Sequence, residues 1–333
     1  MPSGSFSSAF WFVFISVALV AAVVSSVAFG TRVVGLSDVL AALLNEPEGI
    51  AQIAVRERLP RTVLAVVVGG SLAVAGAVFQ GVTRNPLADP GLLGISSGAS
   101  LAVVIGLTFF GLQSPISTIW AAIGGAGAAA AFVWAIGSLG RGGATPLKLA
   151  LAGAATWAVL GSLISAILLP RIDIMDRFRF WQIGGVGRAE WDRITIVLPF
   201  LAIGVLLCLI TSRGLNALAL GDDTAAGLGE NVTRTRLLAA LGAVVLSGAA
   251  TASAGPIAFV GLVVPHLSRL LVGVDHRKLL PFSALAGATL LVVSDVVGRV
   301  IARPTEVDVG IVTAFIGAPV FIWVIRRQKV REL

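Results

Sequence analysis

The stretch RLPRTVLAVVVGGSLAVAGAVFQGVTRNPLADPGLLGISSGA, Arg58 to Ala99, decides the fold. Arginines frame the approach to an apolar run from Thr62 to Val82, which is long enough for an α-helix to cross a bilayer core about 30 Å thick. RNPLADP, Arg84 to Pro90, then has to be an elbow. Pro86 and Pro90 forbid a regular helix there, while Asn85 and Asp89 can hydrogen-bond the backbone groups that are freed. A second apolar run follows the elbow.

The rest of the chain is of the same kind. Hydrophobic residues make up 57% of its 333 positions and charged ones 12%, and a mean hydropathy of +0.98 exceeds what a water-soluble surface tolerates. Spans of roughly 20 apolar residues can be placed beginning near residues 9, 62, 92, 117, 148, 194, 237, 256, 280 and 309. The alternation of an outer-membrane barrel is absent, so these are helices, and the fold class is an all-α polytopic membrane protein with about ten transmembrane helices. No soluble insertion interrupts them, so residues 1–333 read as a single transmembrane domain. Its longest polar segments are Arg32–Arg61, Arg171–Arg193 and Arg213–Arg236.

Met1 to Ala9 carries no Lys or Arg, so the first span reads as a retained helix, with a cleavable signal ending near Ala28 as the alternative. An even number of spans places both termini on one side. Arg326, Arg327, Lys329 and Arg331 mark that side as the cytoplasm, where Lys148 and Lys278 also fall. Arginine is nevertheless plentiful on the other side, at Arg32, Arg56, Arg58, Arg61, Arg171, Arg177, Arg179, Arg188, Arg193, Arg299 and Arg303, and calls for its own explanation.

Several chemistries are excluded. Cys208 is the one cysteine, so there is no intrachain disulfide and no Cys-based metal site. His266 and His276 lack zinc-ligand spacing. None of the three lysines follows a glycine, so the chain has no P-loop and no ATPase site of its own. No cofactor and no nucleic-acid partner is expected. A stand-alone secondary transporter should show ionisable residues deep in its spans, and an enzyme should show a polar cluster. Here the span centres are nearly free of charge, with Asp295 and Arg299 toward one end.

SLAVAG, Ser71–Gly76, leads into Pro86 and Pro90 much as TASAG, Thr251–Gly255, leads into Pro256 and Pro265. The two copies would cross the membrane in opposite senses, as in an inverted repeat. Glycine is abundant in the spans, and close helix packing is its default role there, with hinge motion the alternative. Pro265 is expected to break the eighth span, with His266 bonded locally.

Arg58–Ala99, GPIAFVGLVVPHLSRLLVGVDHRKLLPFSALAGA from Gly255 to Ala288, and VGIVTAFIGAPVFIWVI from Val309 to Ile325 together resemble the FecCD or BtuC-like family of ABC importer permeases. The resemblance covers nearly the whole chain. It implies a type II importer fold with an inverted repeat, in the bacterial cytoplasmic membrane. It also implies a second permease subunit, two ATP-binding subunits on the cytoplasmic side and an extracytoplasmic substrate-binding protein, with membrane lipid around the spans. The cargo it implies is a ferric siderophore, with haem or cobalamin as alternatives.

The same resemblance assigns two sites. RGLNALALGDDTAAGLGENVTRTR, Arg213–Arg236, has apolar residues at helical spacing interrupted by glycines, and so reads as two short helices joined at a glycine. In the family this segment is the coupling loop that docks on the ATP-binding subunit, here through Leu218, Ala219, Leu220, Gly221, Asp222, Asp223, Ala226, Gly227, Leu228 and Gly229. A solvated connector, or Asp222 and Asp223 as a metal-binding pair, are the other readings. Arg58, Arg61 and Arg299 match family arginines that receive a glutamate from each lobe of the binding protein, whereas snorkelling to lipid headgroups is the reading from position alone. Where the family usually has a proline this chain has Asp308, which adds an acid near that mouth.

Overall fold

Apolar segments in a bilayer must close their own backbone hydrogen bonds, and here they do so as helices. The computed structural model describes residues 7–32, 34–44, 49–91, 93–112, 114–139 and 145–327, which form fourteen helices and no strand. They are α1 (Ser8–Ala28), α2 (Leu36–Leu44), α3 (Ile50–Thr83), α4 (Ile95–Phe109), α5 (Pro115–Gly137), α6 (Pro146–Leu168) and α7 (Ile172–Ile183). The rest are α8 (Trp191–Ile210), α9 (Ser212–Leu218), α10 (Asp222–Gly227), α11 (Val232–Ala254), α12 (Val260–Val272), α13 (His276–Ile301) and α14 (Val309–Arg327). Seven are long and apolar enough to cross a membrane, and the shorter apolar α4, α12 and α14 stand at the remaining predicted spans. Lys329 and Arg331 of the C-terminal basic cluster lie outside the described residues.

The polar segments hold more helix than hydropathy predicts. Arg32–Arg61 contains α2 and the start of α3, and Arg171–Arg193 contains α7. α3 begins at Ile50 rather than near 62, and Pro60 removes one N–H from its ladder without ending it. Its 34 residues extend about 51 Å, so its first turns stand beyond the apolar core of a bilayer. α3 is also the centre of the bundle, with 78% of its apolar window buried. Gly69 of α3 faces Gly287 of α13, and Gly76 faces Gly261 of α12, so close that a methyl group on Gly69, Gly76 or Gly287 would collide with the opposing backbone.

α4 and α12 have 15 and 13 residues, or about 22 and 20 Å, too short to span alone. Each follows non-helical chain, residues 84–91 and 93–94 before α4 and 255–259 before α12, and each is entered through a left-handed residue, Gly94 (φ 72°) and Phe259 (φ 68°). The leading helices α3 and α11 run in opposite directions, the sense of the predicted repeat. In the elbow, Asn85 Oδ1 accepts from the Leu87 N–H and Asp89 Oδ1 from the Gly91 N–H, as the sequence predicts. The elbow folds inward until Asp89 and Pro90 abut Gly261.

Pro265 does not break its span. It lies inside α12, and the break falls before it, at 255–259. The reason is Gln80 of α3. A proline at 265 withholds the N–H that would reach the carbonyl of Gly261, and Gln80 Nε2 donates to that oxygen instead, at 3.2 Å.

Candidate functional site

Two clusters of polar side chains occupy opposite ends of the bundle. At one end, the last carbonyls of α1 have no intrahelical donors, and arginines supply them. Arg58 donates to Val27 O at 2.8 Å, Ala28 O at 3.0 Å and Arg32 O at 2.9 Å. Arg299 donates through Nη1 to Ser26 O and Phe29 O and through Nη2 to Ser26 Oγ at 2.7 Å. Arg303 reaches Gly30 O.

Asp295, 1% exposed, is the charge at the centre. Arg61 Nε donates to its Oδ1 at 2.8 Å, and Arg299 Nη2 stands 2.9 Å from its Oδ2, an ion pair by distance with an angle too poor for a hydrogen bond. Arg61 turns its Nη1 outward to Glu306 Oε2, also at 2.8 Å. Arg58, Arg61 and Arg299 are therefore buried and engaged within the chain, and of the two carboxylates that pair with them Asp295 is buried and Glu306 substantially exposed. Beside it, burial and the Glu306 charge push the Asp308 carboxyl above its ordinary value.

At the other end, α9 and α10 are the two short helices the spacing predicts, joined at Gly221, whose φ of 113° suits a glycine. Leu215, Leu218 and Ala225 are buried and anchor the segment. Ala219, Leu220, Asp223, Ala226, Gly227, Leu228 and Gly229 face outward, with Gly221 and Asp222 half-buried. Asp222 is not a free acid. Its Oδ1 accepts from Arg84 Nη2, at the end of α3, and from Arg236 Nη2 of α11 at 2.8 Å. Asn216 bonds Asp275 and His276 at the start of α13.

Sequence reasoning brought Arg58, Arg61 and Arg299 to one end, and the structure places them there together. It missed Ser26, Glu306, Arg84, Arg236 and Asn216, and drew no partner for Asp295. The four-residue spacing of Asp295 and Arg299 was the one local signal. Among the described residues no group of three or more His, Cys, Asp or Glu could hold a metal ion.

The sequence profile of the FecCD transport family matches residues 18–327. The chain is 48% identical over 271 residues to the ferric enterobactin transport system permease protein FepD of Escherichia coli, covering 81% of each. It is 41% identical to the hemin transport system permease protein HmuU of Yersinia pestis, over 82% of each chain. A likeness of 42% identity to the cobalamin import system permease protein BtuC of Halobacterium salinarum covers 83% of this chain and 74% of that one. Among solved structures, an inward-facing conformation of a metal-chelate type ABC transporter superposes with a TM-score of 0.81 at 28% identity, covering 96% of this chain and all of the other. A profile match across nearly the whole length, on a bundle of this architecture, makes the chain a multi-span membrane permease that belongs to the FecCD transport family.

Proposed function

We propose that residues 1–333 form one permease unit of an ABC importer that carries a ferric siderophore across the bacterial cytoplasmic membrane by alternating access. A separate ATP-binding subunit drives it. One observation carries the reading. Leu220 and Leu228 stand exposed, at 63% and 67%, in the turns that follow the two short helices, which are held by the buried Leu218 and by Asp222, and they lie beyond the apolar spans. Exposed leucines on a fixed polar-end platform suit the groove of a partner protein. Residues Ala219–Asp223 and Ala226–Gly229 are its contact, with Leu218, expected among them, instead the buried anchor beneath; that end faces the cytoplasm, and both termini lie there.

At the arginine end an extracytoplasmic binding protein docks through acidic side chains. Arg61 is the member whose counter-ion is exposed, so an incoming carboxylate reaches it by displacing Glu306, while Arg58 and Arg299 hold the frame. Uncovered apolar side chains on α6 and α14, such as Leu151, Trp157 and Phe315, suit a second permease copy, and two copies take two ATP-binding subunits. Enterobactin in the name of a relative at 48% identity supports a siderophore as cargo, and the haemin and cobalamin relatives supply the second reading.

The test reconstitutes the chain with the ATP-binding and binding proteins of its own genome in liposomes and offers catecholate and hydroxamate ferric siderophores, haemin and cobalamin. Uptake of a ferric siderophore is expected, with ATP hydrolysis only when the ATP-binding subunit is present. Uptake of haemin or cobalamin alone overturns the cargo, and ATP hydrolysis by the purified chain overturns the subunit assignment.

A further inference from the structure

Asn216 of α9 makes three hydrogen bonds to the first residues of α13. Its Nδ2 donates to Asp275 Oδ1 at 2.6 Å, and its Oδ1 lies 2.8 Å from both the backbone N and the Nδ1 of His276. A carboxylate without a proton only accepts, so the amide nitrogen must face Asp275 and the amide oxygen must face His276. That oxygen also only accepts. The imidazole therefore carries a hydrogen on Nδ1, and a buried Nε2 with no partner to accept a second one keeps its lone pair. His276 is 5% exposed, and its Nε2 has no hydrogen-bond partner; it lies against Gly81 of α3, where an added Cβ would come within 2.7 Å. The ring is thus wedged between α9 and α3, with its tautomer set by one amide.

We propose that Asn216 is a positioning residue: it joins the α9–α10 segment to the first turn of α13, so that displacement of the segment is passed along α13 to the opposite end. α13 has the reach for this. Its 26 residues extend about 39 Å, and its far end carries Asp295 and Arg299, the centre of the arginine cluster. Buried contact on two sides leaves the His276 ring no room to follow α9 without moving α13 or α3. The inference rests on the reading of α9–α10 as the surface that meets an ATP-binding subunit.

The test places a reporter at the far end. Cys208, the one cysteine, is replaced by alanine, and Thr305→Cys puts a thiol in the exposed turn beyond α13. Labelling by a membrane-impermeant maleimide is timed in liposomes, with the ATP-binding subunit of the same genome, with and without a non-hydrolysable ATP analogue. With Asn216 in place the analogue changes the labelling rate several-fold. Asn216→Leu, close in size and without hydrogen bonds, loses that response while the ATP-binding subunit remains attached. Gly81→Ala pushes Nε2 from the other side and loses it too, and this variant decides the matter alone if Asn216→Leu does not accumulate. A full response in both variants overturns the inference and leaves the coupling surface standing. No response in the chain that retains Asn216 overturns the coupling surface itself, and the inference with it.

Discussion

Replacing Asp295 by asparagine keeps the shape of the arginine cluster and removes its central charge. Asp295 is 1% exposed and Arg299 2%, so the Arg299 guanidinium cannot turn to water when its counter-ion is lost. Removing one partner of a buried ion pair typically costs about 3–5 kcal/mol, because the other charge stays desolvated. Here Arg61 keeps Glu306 and Arg299 keeps Ser26 and Phe29, so the lower figure, about 3 kcal/mol, is the expectation. Glu306→Gln is the control at the same site. Its side chain is 41% exposed, so its pair with Arg61 contributes no more than about 1 kcal/mol, and that contribution fades at high salt. Seven tryptophans allow unfolding in mixed detergent and SDS to be followed by fluorescence at low and high salt. If Asp295→Asn loses no more than Glu306→Gln, or if its loss vanishes with salt, Asp295 is not what holds the two arginines in the interior.

Two further perturbations follow from named bonds. Gln80→Leu strips the donor from the Gly261 carbonyl and the acceptor from Arg269, and leaving a buried polar group unpaired costs about 1–3 kcal/mol; the same unfolding assay should show a loss in that range, and stability equal to the parent would mean Gly261 finds another donor. Asp275 caps α13, and the hydrogen bonds from Arg277 hold its carboxyl well below the usual carboxylate range. A depressed carboxylate contributes stability above its unfolded pKa of about 3.9 and loses it as pH falls through the folded value. Asp275→Ala should therefore cost about 1 kcal/mol at neutral pH, with the gap to the parent closing below about pH 4. A gap that stays constant down to acid would show that the charge contributes nothing there.

How much could be read from the sequence depended on how far the partners lie along the chain. The helices α1, α5, α6, α8, α13 and α14 begin within a few residues of their predicted starts, because each span carries its signal locally in a run of apolar residues. The α9–α10 pair was equally legible, since Gly221 punctuates it in place. α3 reads short from the sequence because Arg56, Arg58 and Pro60 look like the end of a span. In the fold Arg56 donates to Ala42 O and Arg58 to the end of α1, and these tertiary bonds keep the polar turns helical. Pro265 looked like a break for the same reason, since its remedy, Gln80, lies 181 residues before Gly261. Glu306 is 245 residues from Arg61, and Asn216 is 60 from His276, so no spacing rule could join them. The arginines themselves stood out, but their burial did not, because a helix-end arginine reads the same whether it meets lipid, water or another helix.

α3 and α13 hold both polar clusters between them. α3 carries Arg58 and Arg61 at one end and Gln80, Gly81 and Arg84 at the other, while α13 runs from His276 to Asp295 and Arg299. They pack through the Gly69–Gly287 contact, too close to slide without separating. A change at one end therefore reaches the other unless a cluster yields first, and the two clusters differ in how readily they yield. The arginine end is closed by buried charge, with Arg299 and Asp295 side chains 3% and 1% exposed, so opening it strands a guanidinium in an apolar interior. The Arg84–Asp222–Arg236 clasp has side chains 27% to 44% exposed, and water replaces such bonds at a cost of about 1 kcal/mol or less. Under the proposed function, displacement would therefore begin at the α9–α10 end, whose ion pairs are exposed, and the buried arginine cluster would respond as a unit because its charges cannot be parted without stranding one of them.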